Sequence, residues 1–447
     1  MIPVLLVPLL LSPVEPPLSV VQQPVLRPGT GMRDDGRESL EELLRRVRLN
    51  RAAAMRQLEA PVAALIERIE ALGAGGSRAE RDQIKKEILA LGPDAPPILV
   101  PFVDPGLLGG ETERFRARGV AEALCLMETR SITDALIRMA RSGSQEARVN
   151  AMRVLGFSKD HRRASECLAD IFRHANQKDM RREAVTGLAR LGGKKNEAIL
   201  LEALEDNDRN LLKAVLAGLT EVGSKAARSR VRELAGVPDT AARLVDEILA
   251  YYLAVADAVD ANDVRTLVRL AAHDALKDIQ RIRILDTLPG FDPNLDSSLK
   301  KLFQPILDSP GTDLREAAQV CLARLGDRSM ERELIRRYDD MVDKNPRWAT
   351  AYEQRGDIYF RLEKYTQASK DFKKAIRTSK DQVRPRGIWW HLYVSLARSY
   401  AFENKLKNAY DTLKEGSLKR SVMLELAEDP DFAALRAHSR YGKIFDF

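Results

Sequence analysis

A chain of 447 residues is too long for one compact core, and its 31% charged and 6% aromatic residues favour helices over β-sheet. Three cysteines, an odd number with no CxxC spacing, argue against a disulfide framework or a zinc site. The net charge of +7 belongs entirely to residues 334–447, which hold 23 Lys/Arg and 16 Asp/Glu, whereas residues 1–333 are neutral overall.

The first 36 residues combine an apolar start with a Pro-rich continuation. Met1 to Val14 is interrupted by prolines and is shorter than the roughly 20 apolar residues of a spanning helix, so we predict no transmembrane anchor. Its length suits a signal peptide, but it lacks a basic start and a clear cleavage site. We expect an exported or periplasmic protein if residues 1–25 are a signal peptide. Otherwise we expect a cytoplasmic protein with a disordered leader.

Residues 37–76 predict one long amphipathic helix, which the GAGGS run at 73–77 ends. Apolar residues spaced three and four apart, as in a coiled-coil seam, are Leu58, Val62, Leu65, Ile69 and Leu72. Two interpretations stay open. Either the helix caps the first repeat of a monomer, or residues 38–72 form an arm through which two copies dimerise.

Residues 77–333 repeat one helical unit, which is visible in the stretches EARVNAMRVLG, RREAVTGLARLG and LREAAQVCLARLG. Each stretch has apolar residues at helical spacing and stops at glycine, a common helix terminator. Equivalent helix ends recur every 29 to 36 residues, at Gly92, Met127, Gly156, Gly192, Gly223, Asp257, Gly290 and Gly326. These units resemble short bacterial HEAT-like repeats, and helix pairs repeated at this interval must bury their apolar faces on their neighbours.

Residues 334–425 follow a different pattern, which resembles tetratricopeptide repeats. The residues that match the motif in the first unit are Gly356, Tyr359, Ala368, Phe372 and Ala375. Arg355 stands where the family has Leu, and Lys380 stands where it has Pro. The helix that ends at Pro346 resembles half a repeat. A second unit follows with Tyr393, Leu396, Ala397, Tyr400, Ala409, Leu413 and Gly416.

Residues 426–447 resemble the segment that often ends bacterial tetratricopeptide arrays, where Asp-Pro-Asp-Phe precedes a short helix and a final aromatic residue. An array needs an end that covers its last apolar face. We expect Phe432, Leu435, Tyr441 and Phe445 to provide that cover. The chain is thus predicted to be an all-α solenoid of stacked helix pairs, in which a HEAT-like array continues into tetratricopeptide repeats.

The sequence contains no familiar catalytic or cofactor-binding motif. The patterns GxxxxGK[ST], HExxH and GxSxG are absent, and no two of the five histidines are three or four residues apart. We therefore predict a non-enzymatic scaffold without a cofactor or metal. Its partner is a protein or peptide of unknown identity, bound in a groove of the solenoid.

The tetratricopeptide resemblance also implies where a peptide binds. Ligand contacts in that family come from the inner face of each first helix, which corresponds here to Glu353, Asp357, Phe360, His391, Val394 and Arg398. Family members that hold acidic chaperone tails use Lys and Asn where Glu353 and Asp357 stand. An acidic tail is therefore a poor candidate ligand.

Two other functions stay open. Some HEAT-like proteins hold duplex DNA, and a basic run beside Trp389 and Trp390 contains Lys370, Lys373, Lys374, Arg377, Lys380, Arg384 and Arg386. Its helical spacing opposite Phe372 is ordinary for a solvated helix face, so we predict no specific nucleic-acid binding. The other alternative is a non-catalytic subunit of an enzyme complex, because some short HEAT-like proteins resemble phycobilin lyase subunits.

Overall fold

The computed structural model describes residues 40–73, 77–106, 109–206, 208–291, 293, 295–380 and 390–445. The leader predicted at residues 1–36 lies outside them, and so do Arg384, Arg386 and Trp389 of the basic run. The described residues form α-helices and short 3₁₀ turns without a β-strand, so the predicted all-α fold is confirmed. The chain divides into two compact units, Met1–Gln57 and Leu58–Phe447.

Helix α1 (Leu40–Leu72) begins in the first unit and ends in the second. The next helices, in chain order, are α2 (Arg78–Ala90), α3 (Pro96–Leu99), α4 (Glu111–Leu124), α5 (Thr133–Ser142), α6 (Gln145–Leu155), α7 (His161–His174), α8 (Lys178–Leu191), α9 (Lys194–Ala203), α10 (Arg209–Val222), α11 (Arg228–Ala235), α12 (Pro238–Ala241), α13 (Val245–Ala254), α14 (Ala261–Ala272), α15 (Asp278–Thr287), α16 (Ser297–Leu307) and α17 (Thr312–Arg324). The C-terminal helices are α18 (Arg328–Lys344), α19 (Ala349–Arg361), α20 (Tyr365–Lys380), α21 (Trp390–Phe402), α22 (Leu406–Glu415), α23 (Arg420–Glu428) and α24 (Ala433–Ala437).

The part of α1 in the second unit packs on the first repeat. Its buried residues, which share one apolar core with α2 and α4, are Val62, Leu65, Ile66 and Ile69. The Arg116 Nη1 of α4 donates a 2.8 Å hydrogen bond to Glu70 Oε1. Ser77 then starts α2 with a reciprocal capping box to Glu80. This packing is what the cap interpretation expects of Leu58–Leu72, and the dimerising arm stays a prediction.

The helix ends follow the repeat marks of the sequence. Helices α2, α4, α6, α8, α10, α13, α15 and α17 end one to three residues before the predicted marks. Gly223 shows why glycine recurs there, because it follows α10 with a left-handed backbone (φ 66°, ψ 40°) that a Cβ would strain. The repeat length seen in the sequence of the HEAT-like array is therefore the distance from one of these helix ends to the next.

Successive repeats stack through one row of helices. Helices α4, α6, α8, α10, α13, α15 and α17 pack one on the next, and we call these seven helices the front row. Helices α5, α7, α14 and α16 pack behind them. The approach is close after α6, where a Cβ added to Gly156 would lie 2.8 Å from the Cα of Gly187 in α8. One buried apolar core extends from Val62 to Leu322, so the predicted solenoid of stacked helix pairs is confirmed.

A separate small core lies where the front row meets the C-terminal helices. Val320, Leu334 and Ile358 form a small apolar cluster that joins α17, α18 and α19. The segment boundaries predicted at 333/334 and 425/426 fall inside α18 and α23. Helix α18 starts earlier because the Asp327 side chain accepts hydrogen bonds from the backbone of its first turn.

Helices α19 and α20 form the antiparallel pair predicted from the tetratricopeptide motif. A Cβ added to Gly356 would lie 2.9 Å from Phe372 Cε1, so the two helices cross closely where the motif requires a small residue. The second pair, α21 and α22, packs in the same way, with Gly416 close to Tyr393. Beyond it, Phe432 and Leu435 are fully buried, as the predicted end cover requires.

Candidate binding surface

The six predicted contact residues lie on two helices of the C-terminal part. Glu353, Asp357 and Phe360 recur every three or four residues along α19 and therefore share one face. His391, Val394 and Arg398 have the same spacing along α21. The structure brings the two faces together at one contact: the His391 ring Nε2 lies 2.7 Å from Glu353 Oε1.

Two of the six residues make contacts within the protein, one in the apolar core and one at the end of the array. Val394 is 7% exposed and packs in the apolar core of the C-terminal helices. Arg398 pairs with Asp429 at 2.5 Å and with Asp431 at 2.7 Å, so it fastens α21 to the segment that follows α23. Spacing placed both residues on the correct helix face, but it could not show that other parts of the chain cover them.

Asp357 is the least satisfied charge on this surface. Its side chain is exposed, and it forms no hydrogen bond or ion pair with the described residues. Solvent reaches the carboxyl group, yet protein atoms crowd around it and remove part of its hydration. This desolvation, together with the negative charge of Glu353, raises the pKa of Asp357 to about 7, against the opposing effect of His391 and Arg361.

Arg361 extends the surface from α19 to the front row. Its Nη1 lies 3.2 Å from Glu316 Oε1 of α17, and its Nη2 lies 3.5 Å from Asp286 Oδ1 of α15. The repeat motifs do not single out these three residues, because Asp286 and Glu316 belong to another type of repeat. The sequence signal that could have indicated Arg361 is its position on α19, one helical turn after Asp357. We call Asp286, Glu316, Glu353, Asp357 and Arg361 the junction face.

Aromatic side chains border the junction face. The Phe360 ring packs edge-on against Tyr365 and Phe402, with ring centres 5.3 and 5.5 Å away. Tyr365 stacks on Phe402 at 4.8 Å. Phe402 nevertheless keeps 45% of its surface exposed, so this cluster offers apolar contact area beside the carboxylates.

The front row contains a groove of about 730 Å³ along α4, α6 and α8. Most charges on its walls are paired, for example Arg114 with Glu146 at 3.1 Å and Arg153 with Glu183 at 3.4 Å. Similar pairs join α10 to α13 and α13 to α15. Ion pairs of this kind join successive helices of the front row, and we take the junction face as the candidate surface.

The basic run on α20 is an exposed helix face. Lys370, Lys373, Lys374 and Arg377 are exposed, and Phe372 between them is buried. The ammonium group of Lys373 lies 5.1 Å from the ring centre of Tyr400, and that of Lys374 lies 5.8 Å from the ring centre of Tyr352. Two of these lysines therefore make cation–π contacts within the repeats.

The three cysteines lie in or against the apolar core of the repeats. Burial raises the pKa of the Cys125 thiol to about 11 and raises those of Cys167 and Cys321, so these thiols stay protonated and unreactive at neutral pH. Among the described residues, no group of three or more His, Cys, Asp or Glu side chains could hold a metal ion. No helix in the same part of the chain combines the length and the apolarity that crossing a membrane requires.

Comparison with known proteins agrees with the repeat types. A family model of HEAT repeats matches residues 165–246, and a family model of the tetratricopeptide repeat matches residues 349–382. Among curated proteins, no sequence matches this chain. A similar solved structure is the crystal structure of the S. pombe condensin Cnd3–Cnd2 subcomplex, with 14% identity and a TM-score of 0.34 over 81% of this chain and 56% of that chain. By its fold and by the two family matches, the chain is a helical-repeat protein in which HEAT repeats are followed by a tetratricopeptide repeat.

Proposed function

We propose that this chain is a non-enzymatic scaffold that binds a partner protein or peptide at the junction face. The observation that carries the proposal is Asp357, an exposed carboxyl group without a partner among the described residues. The charged side chains around it are already paired with each other. Helical-repeat arrays present long surfaces, and tetratricopeptide helices commonly hold extended or helical peptides.

A binding surface also needs apolar contact, because an exposed charge pair contributes at most about 1 kcal/mol. Phe360 and Phe402 supply that contact beside Asp357, since a ligand can cover the exposed part of the Phe402 ring. In this proposal Glu353, Asp357, Phe360 and His391 contact the ligand. Val394 and Arg398, which we predicted as further contacts, support these residues from the core and from the end of the array.

Site-specific photo-cross-linking in the native host cell tests the proposal. A photoreactive phenylalanine analogue replaces Phe402, which borders the junction face and is exposed, in one full-length variant, and it replaces Lys374, on the exposed face of α20, in a matched control. Asp357 is retained in both variants. We expect the same cross-linked partner from position 402 in independent preparations and its absence from position 374. Substituting Glu353→Lys in the cross-linking variant should lower the yield of the cross-linked product.

Three results would count against the proposal. Equal cross-linking from both positions would mean non-specific contact. A partner recovered with the intact chain, but neither cross-linked at Phe402 nor affected by Glu353→Lys, would move the binding surface to the front row. Turnover of a substrate by the purified chain would contradict the non-enzymatic part of the proposal.

A further inference from the structure

The junction face has an excess of negative charge. It contains four carboxyl groups and one guanidinium group, that of Arg361, which is already shared between Glu316 and Asp286. The His391 ring lies against Glu353. Asp357 forms no ion pair with the described residues, although residues 334–447 as a whole carry a net charge of +7. The local charge is thus opposite to the charge of the segment that carries it.

This charge distribution discriminates between ligands. A ligand carboxylate would add a further negative charge beside Glu353 and Asp357, in surroundings that already disfavour the ionised form of Asp357. A ligand cation would instead supply the missing ion-pair partner of Asp357 and gain the attraction of the neighbouring Glu353 and Glu316 carboxylates. Complementarity of this kind selects partners more strongly than it raises affinity.

The aromatic border suits the same type of ligand. Phe360 lies three residues after Asp357 on the same face of α19, and its ring contacts Phe402. Lys and Arg side chains have an apolar stem and a cationic head, so they can cover an aromatic ring while their charge reaches a carboxylate. An acidic or purely apolar segment could satisfy one of these features but not both.

We infer that the segment held at the junction face is basic, and that one of its Lys or Arg side chains pairs with Asp357 while its stem lies on Phe360. The inference rests on the proposed function and narrows the partner to one chemistry: a cationic stretch of a protein. It concerns the ligand of the site, whereas the proposed function concerns the existence of the site.

Peptide probes of opposite charge test the inference on the full chain. The probes are a fluorescein-labelled peptide of repeated Lys-Leu-Ala and peptides of the same length with Gln or Glu in place of Lys. Fluorescence anisotropy is measured at pH 8, where the Asp357 carboxyl group is ionised. We expect the Lys peptide to bind several-fold more tightly than the Gln peptide and the Glu peptide not to bind.

Two variants and a matched control assign the charge to the site. Asp357→Asn, which keeps the shape of the side chain, should lower the affinity for the Lys peptide by about fivefold. Asp357→Lys should abolish its binding and admit the Glu peptide. Asp411→Lys, on the exposed surface of α22, makes the same change in net charge and should alter neither. Equal loss in Asp357→Lys and Asp411→Lys would show a non-specific charge effect and overturn the inference.

The sequence of the segment cross-linked at Phe402, with Asp357 intact, separates the inference from the proposed function. A cross-linked segment with a net positive charge, together with binding of the Lys peptide, supports both. A specific cross-link to a neutral or acidic segment overturns the inference but leaves the site in place. No specific cross-link, together with no difference among the peptides, overturns both.

Discussion

The Arg355 guanidinium on α19 donates two hydrogen bonds to the Asp371 carboxylate on α20, from Nε to Oδ2 at 2.7 Å and from Nη2 to Oδ1 at 2.8 Å. Its third nitrogen donates to Asp339 of α18 at 2.9 Å, so one side chain joins three helices. The tetratricopeptide motif has Leu at this position. The departure from the motif at Arg355 is therefore explained by a bidentate ion pair that joins the two helices of the repeat.

We predict that Arg355→Leu destabilises the C-terminal helices by about 3 kcal/mol, because it leaves the Asp371 side chain buried without a cation. Adding Asp371→Ala should recover most of the loss, since the unpaired charge is then removed. Urea unfolding followed by tryptophan fluorescence reports on this part, because all three tryptophans, Trp348, Trp389 and Trp390, lie there. Equal destabilisation in the single and double variants would mean that the pair has no role of its own.

Gly356→Leu is expected to abolish the C-terminal unfolding transition. A leucine there would force its Cβ to within 2.9 Å of the Phe372 ring and separate α19 from α20, which costs more than about 3 kcal/mol. Gly290→Ala is the control, because nothing lies within 4 Å of a Cβ at that position. An unchanged tryptophan transition in Gly356→Leu would contradict the close crossing of the two helices.

The repeat architecture could be predicted because its physical cause is local. A helix that ends every 29 to 36 residues leaves an apolar stripe and a terminating residue in each unit, and both are visible in the sequence. Gly356 and Phe372 are also predictable, since the motif places a glycine where the two helices cross. Helix starts were less visible. The cap at Asp327 places the start of α18 before the predicted segment boundary.

The junction face could not be predicted in full, because it depends on which repeats meet in space. Charge totals indicate a basic C-terminal segment, yet Asp286 and Glu316 come from the HEAT-like array and make this surface acidic. Arg398 was predicted as a ligand contact because the motif cannot show that Asp429 and Asp431 return to cover it. Residue spacing thus predicts which helix face a side chain lies on, but not which other parts of the chain pack against that face.

Stability should depend on pH through Asp357. Its pKa in the folded chain, about 7, lies above the ordinary aspartate value of 3.8, so the protonated form favours folding. The resulting stabilisation is fully present below about pH 4 and is lost as the pH rises through about 7. We therefore expect Asp357→Asn to be more stable than the parent chain at pH 8, and this advantage to disappear near pH 4.

Urea unfolding of both chains at the two pH values measures this difference, and the comparison cancels groups that titrate equally in both. Because the side chain is solvent-exposed, we predict the direction of the effect and not its full size. A constant difference at both pH values would mean that Asp357 keeps an ordinary pKa. The crowding of its carboxyl group would then have no energetic consequence.

Arg398→Met should loosen the end of the array. The substitution keeps the apolar stem but removes the pairs with Asp429 and Asp431, whose like charges then face each other. We expect hydrogen–deuterium exchange over residues 420–445 to become about tenfold faster. Lys407→Met, an exposed position on α22, is the matched control. Unchanged exchange in Arg398→Met would leave Arg398 free for the ligand contact that its position on α21 first indicated.

The basic run on α20 should bind nucleic acid weakly and without sequence preference. Lys370, Lys373, Lys374 and Arg377 form an exposed helix face, so any attraction arises from phosphate contacts alone. With about four such contacts, affinity falls by roughly three to four powers of ten for each tenfold rise in salt. Fluorescence anisotropy with duplex and single-stranded DNA should therefore show binding at low salt and none at physiological salt.

Lys370→Glu combined with Arg377→Glu should remove even the low-salt binding, whereas Asp357→Lys, on another helix, should leave it intact or increase it. These variants separate the α20 face from the junction face, because each changes one surface and retains the other. Tight binding that survives physiological salt and depends on the DNA sequence would require base contacts, which a solvated face of lysines does not provide. That result would make nucleic acid, and not a basic protein segment, the ligand of the C-terminal helices.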